Sequence, residues 1–312
     1  MPSALDRLLR FFSEPIYPAT AFQLARTYVS GLRFSKKEKK VAAHFVLPLP
    51  AGVLEPSFDR KNIINPAALD KALREGKARL KEDGGAVALL IPETCVRMFV
   101  LSFDSLPSSP AEREEVLRWR LSKIAPFKAE EIRMAYDIVR SGARAKAVLA
   151  LSRIDVIREY ESFLGRLGFK VKAVGVPSLH LANLIRLDKS GHALLVNIEE
   201  DYVSLLAVLE GRISLYRIKP FLQDAAIPMS PGQKTEQVLN EIENTLHFLE
   251  DREQKSIPAV WVRAAAANAA GEILSLMREK WPALNVREFS SPVPLKSHDQ
   301  NVLFPLIGQA LS

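Results

Sequence analysis

The stretch HALLVNIEEDYVSLLAVLEGRISLYRIKPF, residues 192–221, gathers the side chains best placed for chemistry. Two apolar runs, Ala193 to Ile198 and Val203 to Leu209, flank a corner made of Glu199, Glu200 and Asp201, with Asn197 just before it. Carboxylates in such a place can hold a hard cation. A strand, a corner and a second strand can also cradle the phosphates of a nucleotide through backbone N–H groups. Adjacent residues on a turn point to different sides, however, so the expectation for 199–201 is a solvated corner.

Other familiar constellations are missing from the sequence. His44, His180, His192, His247 and His298 are scattered without metal-ligand spacing. The one cysteine, Cys95, excludes an intrachain disulfide and fits a reducing compartment. It sits beside strand sequence in ALLIPETCVRMFVLSF and reads as a small buried apolar residue rather than a nucleophile. Neither G-x-x-x-x-G-K-S/T nor G-x-G-x-x-G occurs, and there is no G-x-S-x-G elbow.

The elements that must position these residues follow from periodicity. Strand-like pieces at 20–35 are followed by a charged tip, KKEKK (36–40), and a third strand at 41–50. Helical patterns cover 65–85, 109–127, 153–169, 178–188, 235–253, 268–282 and 301–311. Strands are expected at 86–92, 96–103, 130–141, 144–152, 170–177, 256–264 and 285–289. Strand clusters alternating with helices define an α/β architecture of more than one lobe. Residues 20–35 and 192–218 both read as strand, corner, strand, and each opens one half of the chain.

The 312 residues are 48% apolar and 25% charged, enough for a sizeable core. The net charge of +7, from 43 basic and 36 acidic residues, favours anionic surfaces without demanding nucleic acid. EVLRWRLSK carries Arg118, Trp119, Arg120 and Lys123, but on an amphipathic helix, so nucleic-acid binding is not expected. No run reaches the roughly 18 apolar residues of a membrane span, and a cytoplasmic protein is the default. A helix over 3–15 either packs on its own domain or lies on a membrane surface.

In this order the elements resemble the type IV pilus assembly protein PilM family. That family has an actin-like ATPase fold and is related to FtsA and to the cytoplasmic part of GspL. The resemblance rests on LPLPAGVLEP, on the pair ALLIPETCVRMFVLSFDSLP, on Ile124-Ala125-Pro126-Phe127 followed by EEIRMAYDIV, and on KAVGVPSLHLANLI. It implies a two-lobed, duplicated RNase H-like fold with inserted subdomains. Lobe I would be 1–189, with core 20–36 and 144–188 and an inserted subdomain at 37–143. Lobe II would be 190–312, with a reduced subdomain at 219–256.

The resemblance also locates what has been lost. Laid on the family's GIDIGSSSVK, residues 21–30 read AFQLARTYVS, so its aspartate falls on Gln23, its glycine on Ala25 and its lysine on Ser30. Arg26 and Tyr28 are bulky where phosphate needs room. In the second loop, the family's DIG becomes Asn197-Ile198-Glu199, and the adenosine-side glycine cluster becomes RAAAANAAG (263–271), keeping only Gly271. Two aspartates that would organise Mg²⁺ are now amides. Glu199 places negative charge where phosphate would sit, a contact that costs several kcal/mol where water is excluded. The expectation is therefore a remnant of a nucleotide site with no bound cofactor, neither ATP nor Mg²⁺.

Function follows as a set of expectations. The first is a non-catalytic scaffold of a type IV pilus or type II secretion-like platform. It would bind the cytoplasmic tail of a PilN-like inner-membrane partner and so be peripheral at the inner membrane. A diverged ATPase of the same fold and an unrelated α/β protein-binding module are the alternatives. The tail is expected to dock in extended form on lobe I near Ile124, Pro126 and Phe127, where Phe127 is either core or a partly exposed anchor.

Overall fold

The computed structural model describes residues 17–124, 128–141, 144–223, 227–295 and 299–312. Strands β1 (Thr20–Leu24), β2 (Tyr28–Ser35) and β3 (Lys40–Pro48) pair antiparallel in the order β3-β2-β1. Every residue of β1 is buried, as expected of a strand covered on both faces. Helix α1 (Pro66–Leu80) follows, with the Asn65 side chain accepting from the Ala68 amide at 3.1 Å and Pro66 in the first turn, where no N–H is needed. The chain returns as β4 (Gly85–Leu90), parallel to β1.

It then leaves the sheet. β5 (Arg97–Phe103), α2 (Pro110–Ser122), β6 (Ile132–Ser141) and β7 (Arg144–Arg153) build a separate unit with strand order β5-β7-β6. Leu117 and Leu121 of α2 pack there on Ile132, Ala147, Leu149 and Leu151. Helix α3 (Ile154–Arg166) brings the chain back to β8 (Phe169–Gly175), parallel to β4, and the short α4 (Pro177–Leu181) closes the half.

The second half repeats this order. β9 (Ala193–Ile198), β10 (Tyr202–Leu209) and β11 (Arg212–Pro220) pair antiparallel. A two-residue pairing of β12 (Leu222–Gln223) with β13 (Ile227–Pro228) precedes α5 (Pro231–Glu253). β14 (Ala259–Ala264), α6 (Ala267–Lys280), β15 (Asn285–Glu288) and α7 (Gln300–Ala310) complete it. The sheets are β3-β2-β1-β4-β8 and β11-β10-β9-β14-β15, the same topology twice.

The layers are fixed by which faces are apolar. α1 and α3 cover the outer face of the first sheet through Leu69, Leu73, Tyr160 and Leu164. α5 and α6 cover the outer face of the second through Val238, Ile242, Leu249, Ile273 and Met277. The inner faces share one core, in which Leu181 of α4 and Leu303, Phe304 and Ile307 of α7 meet Leu32, Leu90, Leu195 and Leu206. α4 and α7 approach closely: a Cβ on Gly308 would stand 2.0 Å from the His180 carbonyl oxygen. Gly308→Ala is therefore expected to lower the unfolding free energy by about 1–3 kcal/mol, the range for overpacking a rigid contact. Its denaturant midpoint measures this, and an unchanged midpoint would mean that the two helices slide apart freely.

Three predicted boundaries are corrected. The inserted unit is residues 97–153, not 37–143. β3, α1 and β4 belong to the core sheet because β3 pairs with β2 from Tyr28↔Pro48 to Ser35↔Lys40, so the charged tip at 36–40 is only a hairpin turn. Conversely, β7, expected in the lobe I core, pairs with β5 and β6 in the insert. Residues 219–256 are not a subdomain: α5 is the crossover from β11 to β14 and buries Val238, Ile242 and Leu249 on the sheet. The helix expected at 178–188 ends at Leu181, followed by a single 3₁₀ turn at Ala182–Leu184. The helix expected at 3–15 lies outside the described residues, as do Pro126 and Phe127.

Candidate functional site

Duplication places two equivalent corners in the cleft between the lobes. In the first, the Ala25 amide donates to the Tyr28 carbonyl at 2.9 Å, and in the second Glu199 and Tyr202 do the same at 2.9 Å. The Leu49 amide donates to the Thr27 carbonyl at 2.7 Å, matched by Phe221 to Asp201 at 2.8 Å. The corners share a backbone but differ in side chains, and those side chains fill the space between them.

The Tyr28 hydroxyl crosses from the first corner to the Glu199 carboxylate, 3.0 and 3.1 Å from its two oxygens. It accepts from Gln23 Nε2 at 2.8 Å and from Arg263 Nη2 at 3.3 Å. Arg263 lies on β14 opposite Asn197 of β9. Its Nη1 donates to Asn197 Oδ1 at 2.7 Å and forms an ion pair with Glu199 Oε1. The two paired side chains are 0% and 3% exposed.

The Arg263 Nε donor is satisfied by a helix defect. Pro305 lies inside α7 and has no N–H to give the carbonyl four residues earlier. That carbonyl, of Asn301, accepts from Arg263 Nε at 2.7 Å instead. Burial alone would lower the guanidinium pKa, but Glu199 and Tyr28 outweigh it and hold Arg263 above its ordinary value. Burial, reinforced by the Glu199 charge, raises the Tyr28 phenol. The group is thus a neutral phenol on a closed ion pair.

A second buried acid extends the network. Glu93 follows β4 in a 3₁₀ turn and is fully buried. Its Oε1 accepts from the Ser178 amide at 2.7 Å and Asn197 Nδ2 at 3.3 Å, and its Oε2 accepts from the Tyr216 hydroxyl at 2.6 Å. Burial pushes its pKa up, while hydrogen bonds from Ser204, Tyr216 and Ser178 oppose the rise. Nearby, the Ser178 and Ser204 hydroxyls are 2.8 Å apart. Tyr28, Glu93 and Ser178 of the first lobe therefore bond to Glu199, Arg263, Asn197, Tyr216 and Ser204 of the second.

Of the residues singled out in the sequence, the structure gathers Gln23, Ala25, Asn197 and Glu199 at this point. It does not gather the other two. Arg26 turns outward to Glu55 at 2.9 Å, and Ser30 is buried along β2 with its hydroxyl unpartnered. The solvated-corner reading holds for Glu200, which is exposed and pairs with Lys234 at 2.6 Å. It fails for Glu199, because the buried guanidinium draws that carboxylate inward. Gly271 sits exposed in α6 with open space beside it and cradles nothing. Arg263 and Glu93 were not singled out; the one available signal for Arg263 was a lone arginine ending the apolar run AVWV. Cys95 is buried, its thiol 3.2 Å from Asn62 Oδ1 and pushed up to about 12 by burial, which makes it inert.

Two hollows adjoin the network and a third lies in the inserted unit. A cavity of about 350 Å³ beside it is lined by Thr27, Ile198, Lys234, Thr235, Ala265 and Ile273. A wider interlobe groove of about 1030 Å³ carries Arg26, Arg60, Arg97, Asp59 and Asp201. Burial, and then the Glu199 charge, push the Asp201 carboxyl up to about 7. The third, about 370 Å³, lies where α2, β6 and α3 meet: Ile132, Met134, Ile154 and Ile157 form its apolar part, with Arg118, Arg133 and Arg158 around them. Among the described residues no group of three or more His, Cys, Asp or Glu is set to hold a metal ion, and no helix is long and apolar enough to cross a membrane.

Two sheets of identical topology facing a shared cleft, with a three-stranded unit inserted in the first, define the two-lobed actin-like fold. Comparison with solved structures shows the same. A protein from Bacteroides thetaiotaomicron described as having an actin-like ATPase fold and unknown function superposes with a TM-score of 0.51 at 14% identity, over 94% of this chain and 97% of that one. The likeness is greater to a structure described as a PilM-PilN type IV pilus biogenesis complex: TM-score 0.72, 17% identity, over 95% of this chain and 97% of that one. The fold is thus PilM-like as well as actin-like. No protein-family model and no curated protein sequence matches the chain.

Proposed function

We propose that this protein is a non-catalytic actin-like scaffold that binds the cytoplasmic tail of a PilN-like inner-membrane protein in a pilus or secretion platform. The observation that carries the reading is the Tyr28–Glu199–Arg263 cluster. It occupies the meeting point of the two corners with side chains of the chain itself. An incoming phosphate would face the Glu199 carboxylate and would have to break a buried ion pair, which costs several kcal/mol. The lobes are held together by internal bonds rather than by a nucleotide and Mg²⁺. The likeness to the PilM-PilN structure supports the partner and, with it, a peripheral place at the inner membrane.

The docking place we assign to the tail is the hollow between α2, β6 and α3. β6 is an edge strand, paired only with β7 among the described strands. An extended tail would add to that edge through backbone bonds, with its apolar side chains on Met134, Ile154 and Ile157. Ile124, singled out in the sequence, is 45% exposed just past α2 and does not line this hollow. The 350 Å³ cavity favours the second reading, a diverged ATPase, because it leaves room next to the cleft.

One titration separates the readings. A labelled peptide copied from the tail of a PilN-like protein of the same cell is titrated with wild type and Met134→Asp, with and without millimolar Mg-ATP. The expected result is saturable binding that Mg-ATP leaves unchanged and that Met134→Asp weakens at least about tenfold, a charge facing apolar contacts. Far-ultraviolet spectra check the fold. Binding that requires Mg-ATP would replace the scaffold by the ATPase, and full binding by Met134→Asp would move the tail elsewhere.

A further inference from the structure

The C-terminal end of α2 carries a patch that the proposed function does not use. Trp119 is 62% exposed and Ile124 is 45% exposed, both high for large apolar side chains. Arg120 and Lys123 are exposed between them, and Lys128 is exposed just beyond. The Lys123 ammonium stands 5.8 Å from the Trp119 ring centroid, so cation and indole present themselves together. The helix's exposed acids, Glu112 and Glu115, lie a turn or more toward its N-terminus. Along α2 itself the exposed acids precede the exposed bases and apolar side chains, and Glu130 is exposed beyond Lys128.

Leu117 and Leu121 already anchor α2 on its own sheet, so the patch is not needed for packing. Neither Trp119 nor Ile124 lines any of the three hollows described above. A folded partner would need a matching concavity for the indole, and an extended peptide would need a groove or an edge. A bilayer surface needs neither. Indole rings settle at the headgroup level, and lysine and arginine beside them attract anionic lipid. Arg120 and Lys123 can reach headgroup phosphates while Trp119 and Ile124 enter the interface.

We infer that the α2 end, through Trp119, Arg120, Lys123 and Ile124, docks directly on an anionic lipid surface. The contact stands independently of the tail-binding groove and of any nucleotide. It would give the protein a membrane contact of its own besides that made through a partner, and two weak contacts of this kind combine into firm attachment.

The test is co-sedimentation of the full chain with vesicles of neutral phosphatidylcholine, alone or with about a third phosphatidylglycerol, at low and moderate salt. Wild type is expected to sediment with the anionic vesicles only, less so at the higher salt. Trp119→Ser alone, and Arg120→Ser with Lys123→Ser, are each expected to weaken binding about tenfold. All three positions are exposed, so the variants keep the wild-type far-ultraviolet spectrum. Tryptophan emission should shift to the blue with anionic vesicles and stay still in Trp119→Phe, whose remaining indoles belong to the second lobe. Failure of wild type to bind anionic vesicles overturns the inference. So does wild-type vesicle binding by Trp119→Ser, and if that variant also loses the tail peptide, the patch is a protein contact.

Discussion

Replacing Arg263 by methionine is expected to lower the unfolding free energy by about 3–5 kcal/mol, the range for a buried ion pair that loses one partner. The size follows from what remains. Among the described residues, Glu199 would keep a buried carboxylate whose charge is met by the Tyr28 hydroxyl. Asn197 Oδ1 and the Asn301 carbonyl would each lose a bond of 2.7 Å, and Pro305 guarantees that no helix N–H can replace the latter. The companion variant decides whether this is specific. Arg263→Met with Glu199→Met removes both charges and leaves apolar volume in their place, and it is expected to recover to within about 2 kcal/mol of wild type. Denaturant unfolding of wild type, both single variants and the double gives the coupling energy directly. A double variant as unstable as the sum of the singles would mean that the cluster is not an ion pair working as a unit.

That cluster also shows where reading the sequence stops. β9 and β10 were legible because both faces are buried, so their sequence is nearly unbroken apolar. α1 was legible from Asn65 and Pro66, whose roles are local. The extent of the insert was not. β3 and β5 look alike as isolated strands, and only pairing assigns one to the core sheet and the other to the insert. The start of α5 was placed too late because its Ser230–Gln233 capping box precedes the apolar stripe that signals the helix. The loss of the nucleotide loops was legible as residue types at Gln23, Ala25, Asn197 and Glu199. What replaced them was not, because Tyr28, Glu93, Glu199 and Arg263 are far apart in the chain, and only the duplicated fold sets them side by side.

At near-neutral pH, Glu93→Ala is expected to lower the unfolding free energy by about 3 kcal/mol, because it strands the Ser178 amide and the Tyr216 hydroxyl in a buried place at about 1–3 kcal/mol each. The pH dependence distinguishes the role of its charge. Burial raises the Glu93 pKa in the folded protein above the unfolded value of about 4.3. Below that unfolded value both states hold the proton, and the contribution of the neutral acid is fully present. As pH rises toward and through the raised folded pKa, the unfolded chain has already released its proton, so stability attributable to Glu93 falls. Glu93→Gln keeps an acceptor for the Ser178 amide but cannot titrate. Wild type should therefore be most favoured over Glu93→Gln in acid, and the gap should shrink as pH rises through that window and then stay constant. Denaturant midpoints of the three proteins between about pH 4 and pH 8 measure it. A constant offset between wild type and Glu93→Gln across that range would show that Glu93 titrates alike in the folded and unfolded chains. The hydrogen bonds from Ser178, Tyr216 and Asn197 would then fully offset its burial, and the link between the lobes would be indifferent to pH.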